Sequence, residues 1–285
     1  NGSDNPPFYS GVPVDASLRK LTTGSSGYLA PRLTGQWLTT ENTAAEGTGS
    51  TLAYDNMTGF EDFAAASTQY AWMFKRAKGF FDVVAYTGNS TAGRTVSHSL
   101  GVAPEMMWVK NRSNIEGWLV YNTTIGSTNH MDLNLTTATA PSSGYWNDTD
   151  ATSTVFTVGT HSTVNASSQT YIAYLFASLD GISKVGSYTG TGVAGSGTPL
   201  NIDCGFSNGA RFVLIKRTDD VGSWYFWDTT RGIVTGNDST LRLDVADAES
   251  TSYDAIDPYS AGFTINATGQ DINNLNAEYI FLAIA

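Results

Sequence analysis

Three histidines, one cysteine and two groups of carboxylates are the side chains here whose chemistry extends beyond packing. His98, His130 and His161 lie in polar stretches, and Cys204 sits in the strand-like phrase "NIDCGF". A nucleophilic triad needs a histidine among convergent partners, and a structural zinc site needs several thiolates or imidazoles. One cysteine also excludes an intramolecular disulfide. The carboxylates are Asp148 and Asp150 in one loop, and Asp244, Asp247, Glu249, Asp254 and Asp257 in another. Paired carboxylates can hydrolyse glycans unaided, and oxygen-rich loops suit calcium. A solvated acidic loop accounts for most of this pattern; Asp254 and Asp257 remain the calcium candidates, without an EF-hand around them. No other cofactor is expected. The chain carries no G-x-S-x-G elbow, phosphate loop or dinucleotide fingerprint in a strand–helix context. The catalytic set is left empty, and an enzyme is not expected.

Aromatic rings offer different chemistry, since they stack on sugar faces. In "SWYFWD", strand alternation puts Trp224 and Phe226 on one face, with Tyr225 and Trp227 on the other. "GWLVYN" repeats this with Trp118 and Val120 against Leu119 and Tyr121. One face packs a core; the other meets a neighbouring sheet or a ligand. Trp146, beside Tyr145 in "SSGYWNDTD", falls outside any periodic pattern and is the first ring to test for ligand contact. The ligand-binding candidates are therefore Tyr145, Trp146, Trp118, Tyr121, Trp224 and Trp227.

The elements that must position these residues are strands. Short apolar or alternating runs such as "EMMWVKN", "RFVLIKR", "YIAYLFA" and "YIFLAIA" are separated by turn-formers such as "YTGN" and "SNGA". The best helical candidate, "FEDFAAAS" at 60–67, is short. Many short strands without intervening helices predict an all-β chain of tandem antiparallel sandwiches, jelly-roll-like in style. The chain has 285 residues, 41% of them hydrophobic and 14% charged, so it can bury real cores beneath a mostly neutral polar surface. A net charge of −11 opposes nucleic-acid binding and an anionic membrane surface, and no apolar run is long enough to span a bilayer. Ten Asn-x-Ser/Thr sequons occur, many expected by chance in so Asn- and Thr-rich a chain.

The sequence also repeats itself. "VVAYTG" at 83–88 returns as "VGSYTG" at 185–190, and the match continues: Lys110 on Lys216, Trp118 on Trp224, Tyr121 on Trp227. A third, partial copy lies upstream, with Phe74 on Phe176, Gly79 on Gly181, and "QWLTTENTA" set against Leu-Thr-Thr at 135–137. The expected division is an extended linker over 1–32, a partial first repeat over 33–80, and sandwich repeats over 81–181 and 182–285. An incomplete sandwich would leave open sheet edges, which invite strand addition from another chain.

The runs "VVAYTGNSTAGRTVSHSLGVAPEMMWVKNRSNIEGWLVY", "TYIAYLFASLDGISKVGSYTG" and "IDCGFSNGARFVLIKRTDDVGSWYFWDTTRGIV" resemble a repeated β-domain family of large structural proteins from marine tailed phages, cyanophages included. The resemblance covers about residues 36–285 and implies a tail-fibre or other virion-surface component, with no catalytic residue to carry over. It implies an extracellular or virion-surface location. The partners then expected are further copies of the chain, a trimer above other assemblies, along with other virion proteins and a host-surface glycan. Two alternatives stand beside host attachment: a filament or virion-scaffold subunit without a ligand of its own, and a glycan depolymerase. In each reading the repeats form a string of spacer or binding domains.

Overall fold

The computed structural model describes residues 8–47, 52–62, 67–193, 199–267, 269 and 271–285. Strands dominate, as the alternating runs require, and the fold is all-β with antiparallel sandwich modules. The first module contains β1 (Phe8–Tyr9), β2 (Ala16–Leu21), β3 (Tyr28–Pro31), β4 (Leu38–Thr39), β5 (Leu52–Ala53), β6 (Gly59–Asp62) and β7 (Gln69–Phe74). The second contains β8 (Phe81–Thr87), β9 (Arg94–Ser97), β10 (Met106–Asn111), β11 (Trp118–Asn122), β12 (Asn129–Asp132) and β13 (Ala140–Pro141), then α1 (Ser143–Trp146), β14 (Val155–Val158), α2 (Ser162–Asn165) and β15 (Thr170–Phe176). The third contains β16 (Ser183–Thr189), β17 (Leu200–Asp203), β18 (Phe212–Arg217), β19 (Trp224–Asp228), β20 (Asp238–Arg242), β21 (Ser250–Tyr253), β22 (Ile256–Tyr259), β23 (Gly262–Ile265) and β24 (Glu278–Ile284).

Each module pairs a large sheet with a small one. The large sheets run β4-β3-β2-β7, β13-β12-β11-β10-β15-β8 and β21-β20-β19-β18-β24-β16; the small ones are β1-β6-β5, β14-β9 and β17-β23-β22. Strand for strand, β2, β10 and β18 correspond, as do β7, β15 and β24. Residues 1–32 are therefore no linker over their described part: Ala16–Leu21 and Tyr28–Pro31 are paired strands of the first large sheet. Their sequence lost its resemblance to the other copies while keeping the alternation that the sheet requires. The register also moves one alignment, because Leu38 opposes Leu29 as Met131 opposes Val120, so Leu38 matches Met131 rather than Leu135. The helix expected at 60–67 is absent where it can be seen. Phe60–Asp62 belong to β6, and residues 63–66 lie outside the described part.

Turns recur where the sequence repeats. Gly79 and Gly181 both adopt positive φ, 76° and 71°, in the tight turns that launch β8 and β16. A glycine is needed there because a Cβ strains this conformation.

The modules do not form a string. One face of every large sheet contributes to a single shared core, in which Leu18 and Phe74 meet Trp108 and Phe176 of the second module and Leu214 and Phe226 of the third. The opposite faces pack under the small sheets in three separate cores. Junctions close the arrangement into a ring. Backbone N–H groups of Glu46, Thr139 and Glu249 donate to the carbonyls of Arg112, Thr218 and Thr22, so module one joins two, two joins three, and three joins one. A buried lysine repeats the pattern: Lys110 Nζ reaches Thr43 O at 3.2 Å, Lys216 Nζ reaches Thr136 O at 3.1 Å, and Lys20 Nζ reaches Val245 O at 2.6 Å. These are equivalent residues of β10, β18 and β2. Burial pushes all three amines down, Lys110 and Lys216 to about 8. The apolar surroundings disfavour the ammonium form, and the carbonyls replace water as its partners.

Candidate functional site

The rings singled out from sequence are packed away. Trp118 and Trp224 are fully buried in the shared core, where their indole N–H groups donate across junctions to Thr39 O at 2.7 Å and Asp132 O at 2.9 Å. Trp146, Tyr121 and Trp227 are each 2% exposed or less. None of these five can lay a face on a sugar in this structure. Tyr145 alone of the set keeps partial exposure.

The reason lies in α1. Its N-cap Ser142 accepts from Gly144 N–H, and Asn147 ends it in the left-handed region. That single turn drives Trp146 edge-on against Tyr121, with centroids 5.7 Å apart, and sets Tyr145 between His130 and His161 at 4.3 and 4.5 Å. The turn covers Leu119, Tyr121 and His130, on the face of the second large sheet turned away from the shared core.

Ladder registers place Tyr225, Trp227, Thr240 and Arg242 of the third module where Leu119, Tyr121, His130 and Asp132 stand in the second. Among the described residues no short helix follows β21, and a cleft of about 380 Å³ opens there instead. Tyr225 and Trp227 lie on its floor as near-parallel rings 6.1 Å apart, with the Arg242 guanidinium 5.9 Å from the Tyr225 centroid. Arg242 Nε donates to Asp247 at 2.9 Å, which fixes both groups. Tyr253, Ser250 and Asp271 complete the wall. Burial, then the charge of Asp271, pushes the Tyr225 phenol up to about 12, so it stays a neutral hydroxyl at pH 7. Ring faces beside fixed donors and acceptors are the combination that holds polyhydroxyl molecules. Sequence alternation had placed Tyr225 and Trp227 on one face, but nothing in it told the open module from the plugged one.

The remaining candidates do not converge. Among the described residues no three His, Cys, Asp or Glu side chains stand together as a metal site. Asp254 accepts from the Asn266 amide at 2.7 Å, and burial followed by the Asp254 charge raises Asp257. The two calcium candidates are thus neighbours, each with one buried carboxylate oxygen that no hydrogen bond reaches. Asp244 accepts from Trp224 N–H at 2.8 Å, and Glu249 pairs with Arg231 at 2.7 Å. Burial pushes the Cys204 thiol up to about 12, leaving it an unreactive core group. Asn111, Asn122, Asn134 and Asn165 are buried, so those sequons are closed to glycosylation in the folded chain.

Ring and cleft together define a class: a three-module β-sandwich protein with an amphipathic cleft in its last module. The chain belongs to the family described as Domain of unknown function (DUF7483), whose model matches residues 66–285, from just before β7 through the second and third modules. No curated protein and no solved structure matches the chain.

Proposed function

We propose that the chain is a virion-surface structural protein of the tail-fibre type, and that its third module holds a host-envelope glycan in the cleft lined by Tyr225, Arg242 and Tyr253. The observation that carries this reading is the contrast between equivalent faces: the second module's is plugged by Tyr145 and Trp146, while the third's is open. A pocket of this size accommodates a few sugar rings, with Tyr253 available for stacking and Arg242, Asp247 and Asp271 for hydroxyl groups. The sequence resemblance supplies the virion context. Screening the protein on arrays of bacterial envelope glycans, followed by saturation-transfer NMR, tests the cleft. Tyr253→Ala and Arg242→Ala should each weaken a bound glycan at least tenfold without shifting the melting temperature. Binding that survives both changes, or no binding to any envelope glycan, rejects the attachment role.

The scaffold reading has its own support in ring closure. One chain already completes the three-fold arrangement that a homotrimer would otherwise supply, so we read the assembling unit as a single copy seated on other virion proteins. Light scattering should give the mass of one chain; a discrete trimer would restore the self-assembly expected from the sequence.

A further inference from the structure

Three charged side chains line the third-module cleft among the described residues: Arg242, Asp247 and Asp271. Arg242 and Asp247 cancel one another, since guanidinium Nε and Nη2 both donate to Asp247 Oδ2. Lys20, whose charge also acts on Arg242 and Asp247, is buried and donates to Val245 O at 2.6 Å. Asp271 is exposed, and no cation of the described residues pairs with it. One carboxylate is therefore left uncompensated on the wall. It stands among three phenols. Tyr225, Tyr253 and Tyr279 are all pushed up, first by burial and further by the Asp271 charge.

The second module shows what this place holds when the face is plugged. Asn273 Oδ1 accepts from Thr191 N–H at 2.7 Å, and its Nδ2 donates to Ala267 O at 2.7 Å. Asn165 bonds Asn89 N–H and Gly159 O in the same way, at 2.9 and 2.7 Å. Counting back two residues from each asparagine sets Asp271 where Thr163 stands, and Thr163 donates to Glu116 at 2.9 Å. A second pair of anchors serves the other wall. Asp244 and Asn134 each accept from the N–H of the equivalent tryptophans, Trp224 and Trp118, at 2.8 Å. Counting on three residues sets Asp247 where Thr137 stands. The open module thus has carboxylates at two places where the plugged one has threonines.

We propose that the cleft takes uncharged sugar residues, and that Asp271 turns uronic and other acidic sugars away. This inference rests on the glycan-attachment reading of the cleft. A neutral sugar offers hydroxyl donors to Asp271, which as a carboxylate only accepts, and a ring face to Tyr253. An acidic sugar sets a like charge against Asp271, and the one cation on the wall is already committed to Asp247. The net charge of −11 acts in the same direction.

The probe set is an array of bacterial envelope polysaccharides in which each acidic one is printed beside its own carboxyl-reduced form. Reduction turns uronic acids into neutral hexoses. Neutral spots should bind, and each reduced form that binds should do so at least tenfold more tightly than its acidic parent. Asp271→Asn should keep the binding of neutral glycans and shrink that gap below about threefold. Surface charge is screened by salt, so raising it from about 50 to about 500 mM should narrow the gap in the unsubstituted protein. Acidic parents that bind as tightly as their reduced forms overturn the selectivity and leave glycan attachment standing; no binding at any spot removes both. A gap unmoved by salt, or by Asp271→Asn in a variant with an unshifted melting temperature, overturns the role of Asp271.

Discussion

β7 and β15 are the same strand in two settings. Residues 171–176 of β15 are buried throughout, while β7 buries only Phe74 and leaves Gln69–Met73 half-covered. Their sequences, QYAWMF and TYIAYLF, are alike in apolar content. The difference comes from the neighbour: β15 is roofed by β8, and β7 has no such strand among the described residues. Burial of a strand is thus a property of the sheet around it rather than of its own pattern. The second and third modules differ in the same manner, with one short turn deciding whether equivalent faces are core or cleft.

The largest expected effect comes from breaking the shared core and comparing the cost with that at the open edge. Trp108→Ala, at a fully buried ring, should cost about 3–5 kcal/mol, whereas Trp72→Ala beside the cavity along β7 should cost about 1–2 kcal/mol. Urea unfolding midpoints measure both; equal losses would show that the edge is as tightly packed as the centre. Trp146→Ala sharpens the contrast between plugged and open faces. It should cost about 3 kcal/mol, within the usual range for a buried ring, and leave a cleft in the second module like that of the third. A crystal structure of the variant showing neighbouring side chains collapsed into the space would refute that equivalence.

A smaller, pH-dependent effect tests the ring junctions. Lys110 and Lys216 titrate near 8 when folded, against roughly 10.4 in an unfolded chain. Between those values the unfolded chain holds more protons, so the stability of the fold rises with pH. Cys204, raised to about 12, opposes this with one proton from about pH 8.5 upward, and the buried tyrosines do so above about pH 10. Lys216→Met removes one lysine's rise and leaves Thr136 O and Gly222 O without their donor, costing about 2 kcal/mol at pH 7. Its deficit relative to the unsubstituted protein should widen from pH 8 to pH 10 in chemical denaturation. A constant deficit would mean that Lys216 is not held near 8.

Much of the fold was legible in the residues. Alternation in "RFVLIKR" and "SWYFWD" specified strands, and the recurrence of Lys110 as Lys216 and Trp118 as Trp224 specified equivalent modules. The aromatic candidates were misplaced because alternation gives two faces without saying what covers either. Both faces of these sheets face protein, one toward the ring centre and one toward the small sheet. The first module's opening strands escaped notice since Ala16–Leu21 keeps only the alternation, Lys20 and, against the third module, Leu18 of its counterparts.

By itself, the sequence determined the strand content, the two well-matched modules and the positions of their turns, because these depend on local alternation and on residues such as Gly79 and Gly181 that only certain turns accept. Tertiary structure decided the rest. Closure into a ring, the buried lysine–carbonyl junctions, the plug of Tyr145 and Trp146 and the open edge of β7 all depend on which surfaces meet. Contacts among residues some 80 to 225 positions apart, such as Lys216 with Thr136 and Lys20 with Val245, are set by the packing of whole sheets. No local pattern encodes them.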